Sequence, residues 1–273
     1  MRRNNMLLHL LKIDLAKMTS YRTFWIVCGL YFLTLGTTSA SGMEFLKWLA
    51  RTFEDFGSKL NINRIPLYHF PDIWLNLIWC SGLLKIVLGV MVVISVTNEY
   101  SYRTIRQNII DGLSRGQFLV SKILTNVLLS LMSLILITVI GLVTGLIYSP
   151  VIDFTRIMTD TEFLPLYFLE VFFFLSFAMM LGFLVNRAGL TIILLLLSRV
   201  IEAIITSNID DYVPWLIPYF PMQSIWNMIE WPFPRYAFQE IRDYIDPWSV
   251  VIVLVWTFLF NWFSYLKLKR SDV

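Results

Sequence analysis

Six stretches of this chain stay apolar for close to the ~20 residues that a helix needs to cross a hydrocarbon layer, and most of the charge gathers between them. They run from Phe24 to Ala40, Trp74 to Thr97, Ile123 to Tyr148, Phe163 to Val185, Gly189 to Thr206 and Trp248 to Leu266. Each is bounded by charged or turn-forming residues, as the ends of a span should be. The pattern predicts an all-α, polytopic membrane protein: one transmembrane domain over residues 1–273 with six transmembrane helices. The first and fifth stretches are short. The fifth also carries Arg199 and Glu202, which makes it the crossing most exposed to failure.

Composition agrees with lipid as the solvent. Of 273 residues, 57% are hydrophobic and 15% are charged, against roughly 25% charged in ordinary soluble domains. Mean hydropathy is +0.67. A soluble core of this size could not hide so much apolar surface. Cys28 and Cys80 both fall in apolar runs and read as small buried side chains rather than a disulfide. His9 and His69 are far apart and have no metal-ligand spacing.

The position of the charges orients the spans. With the N-terminus inside, the inside segments hold 13 Lys and Arg against 7 outside, and 4 acidic residues against 13 outside. The positive-inside rule then places both termini in the cytoplasm and the protein in the cell inner membrane, as a multi-pass chain.

Residues 1–22 place Leu7, Leu11, Leu15 and Met18 at helical spacing, with Lys12 and Lys17 elsewhere on the wheel. They predict an amphipathic helix in the inner interface. Thr38-Ser39-Ala40 also resembles a signal cleavage site, but its n-region would be unusually long. Residues 41–73 read as a mixed-charge outer loop and 149–162 as a short acidic one. Residues 207–247 hold six of the ten prolines and many Trp and Tyr, opening on Asp210 and Asp211. They predict two short Pro-broken helices in the outer interface, re-entrant in character, then a more polar helix over 235–246 leading into span six.

The segment 98–122, between spans two and three, carries the most chemistry. Ile105, Ile109 and Leu113 share one helical face, while Arg103, Arg106 and Gln107 fall away from it. Gly112 breaks this helix and Ser114 caps the next. Two readings stand: a flat helix whose polar face docks a soluble partner, or a basic loop that only sets topology. The segment resembles the cytoplasmic loop of membrane subunits of ABC-2-type ATP-binding-cassette exporters. The match rests on Glu99 at the end of span two, Thr104 in the turn, the Ser114-Arg115 pair and Lys122 at the start of span three. The six-span layout, the N-terminal interfacial helix and the long last outer loop match as well. Arg103 stands where the family commonly has a small residue, and Leu113 where a Pro often precedes the Ser-Arg pair.

The resemblance implies a coupling helix seated in a cleft of an ATPase subunit. Glu99, Arg103, Thr104, Arg106, Gln107, Ser114 and Arg115 are then the coupling residues. This chain has no G-x-x-x-x-G-K-[ST] run, so the expectation is a non-enzymatic permease with no cofactor of its own. ATP and Mg would be bound by a partner ATPase in two copies. The other expected partners are a second permease copy or homologue and membrane lipid, with no nucleic acid. The cargo would be an amphiphile moved outward.

Lys85, Glu170, Arg199 and Glu202 fall inside predicted spans. A lone charge there costs about 2.5–3.5 kcal/mol on insertion scales, so each should face protein or water. They read either as internal ion pairs locking spans two, four and five, or as a polar lining of the translocation path. The resemblance favours Lys85 and the Arg199/Glu202 pair as lining. The alternative function is an ion-coupled secondary transporter using these charges, although no inverted repeat is visible. An intramembrane enzyme lacks support, with no H-E-x-x-H and no His within a span. Gly141 and Gly145 form a small-x-x-x-small pair that admits a close helix, and Phe172-Phe173-Phe174 reads as lipid-facing and packing surface.

Overall fold

The computed structural model describes residues 3–52, 66–110, 112–232 and 244–270. Among these residues the fold is helical, without a strand. The helices are α1 (Arg3–Ser20), α2 (Arg22–Thr52), α3 (Ile73–Gly82), α4 (Lys85–Ser101), α5 (Thr104–Ile110), α6 (Arg115–Tyr148), α7 (Phe154–Met158), α8 (Phe163–Val185), α9 (Ala188–Ile209), a 3₁₀-helix (Pro214–Tyr219), α10 (Pro221–Met228) and α11 (Pro247–Arg270). Five segments are long and apolar enough to cross a membrane, and these are the helices of a membrane protein. Large apolar side chains such as Ile26, Leu33, Ile193, Ile204 and Phe258 point outward, as lipid permits and water does not.

α8 is the axis of the bundle. It packs against α3, α4, α6, α9 and α11. In its apolar segment 61% of the residues are buried, against 17% in peripheral α9. Phe173 and Phe174 lie in the core. Asn186 ends α8 in the left-handed conformation at φ 58°, donating its N–H to Gly182 O at 3.0 Å. Lipid tails are as apolar as the side chains, so buried polar contacts contribute to holding such helices together. At mid-bundle, the Ser133 hydroxyl lies 2.5 Å from Tyr31 Oη and 2.7 Å from Tyr167 Oη, joining α2, α6 and α8.

The second predicted span is not one helix. α3 and α4 meet at Leu83 and Leu84 with a bend of 40°, and only the pair taken together is long enough to cross. No proline causes this. Ser81-Gly82 is a turn-forming pair, and Lys85 opens the second half. The fifth predicted span is by contrast a continuous 22-residue helix. Residues 41–52 extend α2 rather than forming loop, and the acidic segment contains α7. The Pro-rich segment holds the 3₁₀-helix and α10; the more polar helix expected over 235–246 falls mainly outside the described residues. Cys28 is buried, with Sγ 3.2 Å from Met91 Sδ, whereas Cys80 sits on an exposed face of α3.

Gly141 and Gly145 admit aromatic rings rather than a second helix backbone. A Cβ at Gly141 would lie 2.8 Å from the Trp74 ring, and one at Gly145 would overlap the Phe70 ring. Phe70 and Trp74 belong to a second apolar cluster with Leu67, Tyr68, Ile73 and Leu77. Gly145→Leu should therefore destabilise the protein by about 1–3 kcal/mol through overpacking. Thermal unfolding in detergent will measure this, and an unchanged midpoint would refute the tight fit.

Candidate functional site

Two clusters of buried charge lie in the bundle. The first sits where α1, α4, α5 and α6 converge. Lys122, at the start of the third turn of α6, donates from Nζ to Asp14 Oδ1 at 2.5 Å and to Glu99 Oε1 at 3.0 Å. The Thr125 hydroxyl donates to Asp14 Oδ2 at 2.6 Å, and the Thr104 hydroxyl donates to the Glu99 carboxylate. Lys17 Nζ stands 3.7 Å from Glu99 Oε2 and donates to Asn108 Oδ1 at 2.8 Å. Asp14, Glu99 and Lys122 are all buried. Two ammonium groups thus face two carboxylates, and the local charge is balanced. An adjoining cavity of about 110 Å³ reaches in between α1, α2 and α4.

This places the predicted coupling residues in three groups. Glu99 and Thr104 are part of the buried junction, not of a surface. Arg103, Arg106 and Gln107 are exposed on the α5 side away from Ile105, which is buried, and from Ile109 and Leu113, which pack on the core. Arg103 takes a left-handed φ of 56° in the turn between α4 and α5, a conformation that glycine adopts most readily. Ser114 and Arg115 secure helix ends. The Ser114 hydroxyl accepts from Gln117 N at 3.2 Å while Gln117 Oε1 accepts from Ser114 N at 2.9 Å, a reciprocal cap on α6. Gly112, at φ 94°, supplies the preceding break. Arg115 donates to the carbonyls of Leu268 at 3.1 Å and Lys269 at 2.5 Å, tying α6 to the end of α11.

The second cluster surrounds the bend between α3 and α4. Lys85 pairs with Glu170 of α8, and its ammonium also lies 5.7 Å from the Phe174 ring centre. Glu170 presses on the bend: a Cβ at Gly82 would lie 2.8 Å from its Oε1. At the bend the backbone is carried by short-range bonds, Leu84 N–H to Ser81 O and Val87 N–H to Leu84 O, each at 3.0 Å. On α9, Arg199 and Glu202 are 3.5 Å apart. Glu202 accepts from the backbone N–H groups of Met222 at 2.8 Å and Gln223 at 2.5 Å, and so caps α10 from another helix. The Arg199 guanidinium donates twice to Gln223 Oε1 at 3.1 Å and lies 5.4 Å from the Trp226 ring centre. Lys85, Glu170 and Arg199 line one cavity of about 150 Å³, walled by Trp79 and Trp226. Glu202 instead borders a separate recess shared with Tyr219 and Trp256.

Sequence reasoning missed Asp14, the carboxylate that closes the first cluster. A lone acidic residue midway along an otherwise apolar and basic helix was its signal. Among the described residues no group of His, Cys, Asp and Glu could hold a metal.

A family described as "Protein of unknown function (DUF2705)" matches residues 61–273. The chain belongs to the DUF2705 family. No curated protein matches it. The DUF2705 segment contains α3 to α11, hence the whole second cluster and the Glu99–Lys122 half of the first. Asp14 and Lys17 lie ahead of it.

Removing one partner from a buried charge network leaves the others unpaired, at a cost of about 3–5 kcal/mol. Lys122→Met should lose that much stability, and Lys122→Met combined with Asp14→Asn and Glu99→Gln should recover most of it. Denaturation in detergent distinguishes the two. Equal loss in the single and triple variants would show that packing, not charge, holds this junction.

Proposed function

We propose that this chain is the membrane-spanning subunit of an ABC-2-type exporter, multi-pass in the cell inner membrane with both ends cytoplasmic. On this reading the bent pair α3–α4 forms one crossing, giving six. A separate ATPase binds ATP and Mg, a second permease copy or homologue completes the pathway, and the cargo is an amphiphile. The chain itself performs no covalent chemistry.

The observation that supports this most is the way α5 is mounted. Its outer side offers Arg103, Arg106 and Gln107 to a soluble partner, while its root is held through Glu99 and Thr104 to Lys122 and Asp14. Force applied to α5 therefore reaches α1, α4 and α6 through charge-assisted hydrogen bonds instead of being lost in a loose loop. A loop that merely sets topology needs no such mounting. Lys85, Glu170 and Arg199 then supply the polar wall of the pathway, beside a bend that lets α3 and α4 change their relative angle, while Glu202 fixes the outer helix α10.

The partly buried Lys85–Glu170 pair at a broken helix also favours a second reading, ion-coupled secondary transport, because broken helices and intramembrane charges are how such proteins hold ions. The two readings separate cleanly. An affinity-tagged chain should co-purify a polypeptide bearing a phosphate-binding loop. In proteoliposomes containing both, Arg106→Glu should weaken the docking contact and lower transport-coupled ATP hydrolysis about tenfold, equivalent to ~1.4 kcal/mol. Undiminished hydrolysis and transport in that variant would argue against the coupling role. Transport that stops when the ion gradient is dissipated at constant ATP would establish the second reading in its place.

A further inference from the structure

The last helix carries a stripe that meets the charge clusters only at Trp256, which also borders the Glu202 recess. Trp256, Phe260, Phe263, Lys267 and Arg270 recur at intervals of four, three, four and three along α11, which keeps them on one face. That face borders an open groove of about 690 Å³ whose other wall is the end of α8, at Met180 and Leu184. Phe260 is buried at its floor, against Phe173 and Phe177. Trp256 closes the far end, its indole N–H committed to Tyr219 O at 2.7 Å. The groove is aromatic and aliphatic along its length and cationic at one end only. Among the described residues no acidic side chain lines it.

We propose that this groove binds one anionic phospholipid, with an acyl chain along Trp256, Phe260 and Phe263 and the phosphate held by Lys267 and Arg270. Length supports a lipid over a small amphiphile. From Trp256 to Lys267 the helix rises about 16 Å, at ~1.5 Å per residue. That is half of a hydrocarbon core of ~30 Å, the depth of one leaflet. The charge at the end supports an anionic headgroup. Basic pockets between helices on the cytoplasmic side recognise such lipids, and on the orientation proposed above this end faces the cytoplasm. Arg115 strengthens the case. By taking the carbonyls of Leu268 and Lys269 it satisfies the helix terminus, so that Lys267 and Arg270 need not fold back on it.

The assignment depends on the membrane setting and the orientation of α11, not on an ATPase partner, so it is tested on the purified chain alone. Native mass spectrometry of the detergent-solubilised full chain, titrated with phosphatidylglycerol or with phosphatidylcholine of the same acyl chains, reads the preference directly. The expected result is retention of one phosphatidylglycerol with roughly thirtyfold preference, as two cations near an anionic headgroup should give at about 1 kcal/mol each. Lys267→Gln with Arg270→Gln should abolish the preference while leaving weak retention of both lipids. Phe263→Ser should weaken retention of both without changing the preference. An excess of glycerol phosphate should not displace the lipid; displacement would show that the site recognises a free phosphate instead. Equal retention of the two lipids by the wild-type chain, or an unaltered preference in the double glutamine variant, would overturn the proposal. Circular dichroism of each variant confirms the helical fold against which the binding is read.

Discussion

A charged side chain set among apolar helices has no water to turn to, and in this protein that constraint decides which helices touch. Lys122 is the clearest case. Its ammonium group would be costly to bury alone, and it is accommodated by carboxylates from two other helices, Asp14 of α1 and Glu99 of α4. Lys85 and Glu170 do the same for α4 and α8. Glu202 uses backbone N–H groups of α10 instead of a cation alone. Because lipid does little to press helices together, these directional contacts fix register and partner where apolar packing leaves both loosely specified.

The same constraint links stability to the proposed mechanism. The turn between α4 and α5 is attached to the bundle by Glu99, the very residue that neutralises Lys122. A partner leaning on the exposed basic side of α5 would thus act on a junction of four helices. The bend between α3 and α4 provides, at the other end of α4, a place where movement need not break a regular helix, since the break is already there. Glu170 holds that bend from α8, the helix around which the bundle packs, so the moving part is referred to the central one.

Much of this could be read from residue order alone, and the exceptions have physical causes. Runs of apolar residues located the five long apolar helices α2, α6, α8, α9 and α11, because length and hydropathy are local properties. The facing of Ile105 against Arg106 and the Ser114 cap were legible for the same reason. The break in the second span was not, because Ser81-Gly82 is a weak signal inside a run that is otherwise uniformly apolar. Asp14 was obscured by the apolar spacing around it, and its partners are distant in sequence. Arg115 and Glu202 looked like candidates for partner contact or pathway lining. Their hydrogen bonds go to backbone carbonyls and N–H groups, which every residue has and no sequence pattern marks.

The junction at Lys122 also sets an order of events during synthesis. Asp14 and Lys122 are separated by 108 positions. At roughly 5–20 residues per second, a ribosome needs on the order of 10 s to cover that distance. For that interval α1 exists without the ammonium that answers its Asp14 carboxylate, and Glu99 of α4 has only the longer contact to Lys17, at 3.7 Å. The junction of the first helices is therefore completed only when α6 arrives. The arrival of one lysine turns a set of inserted segments into an assembled bundle, and the earliest part of the chain is among the last to find its place.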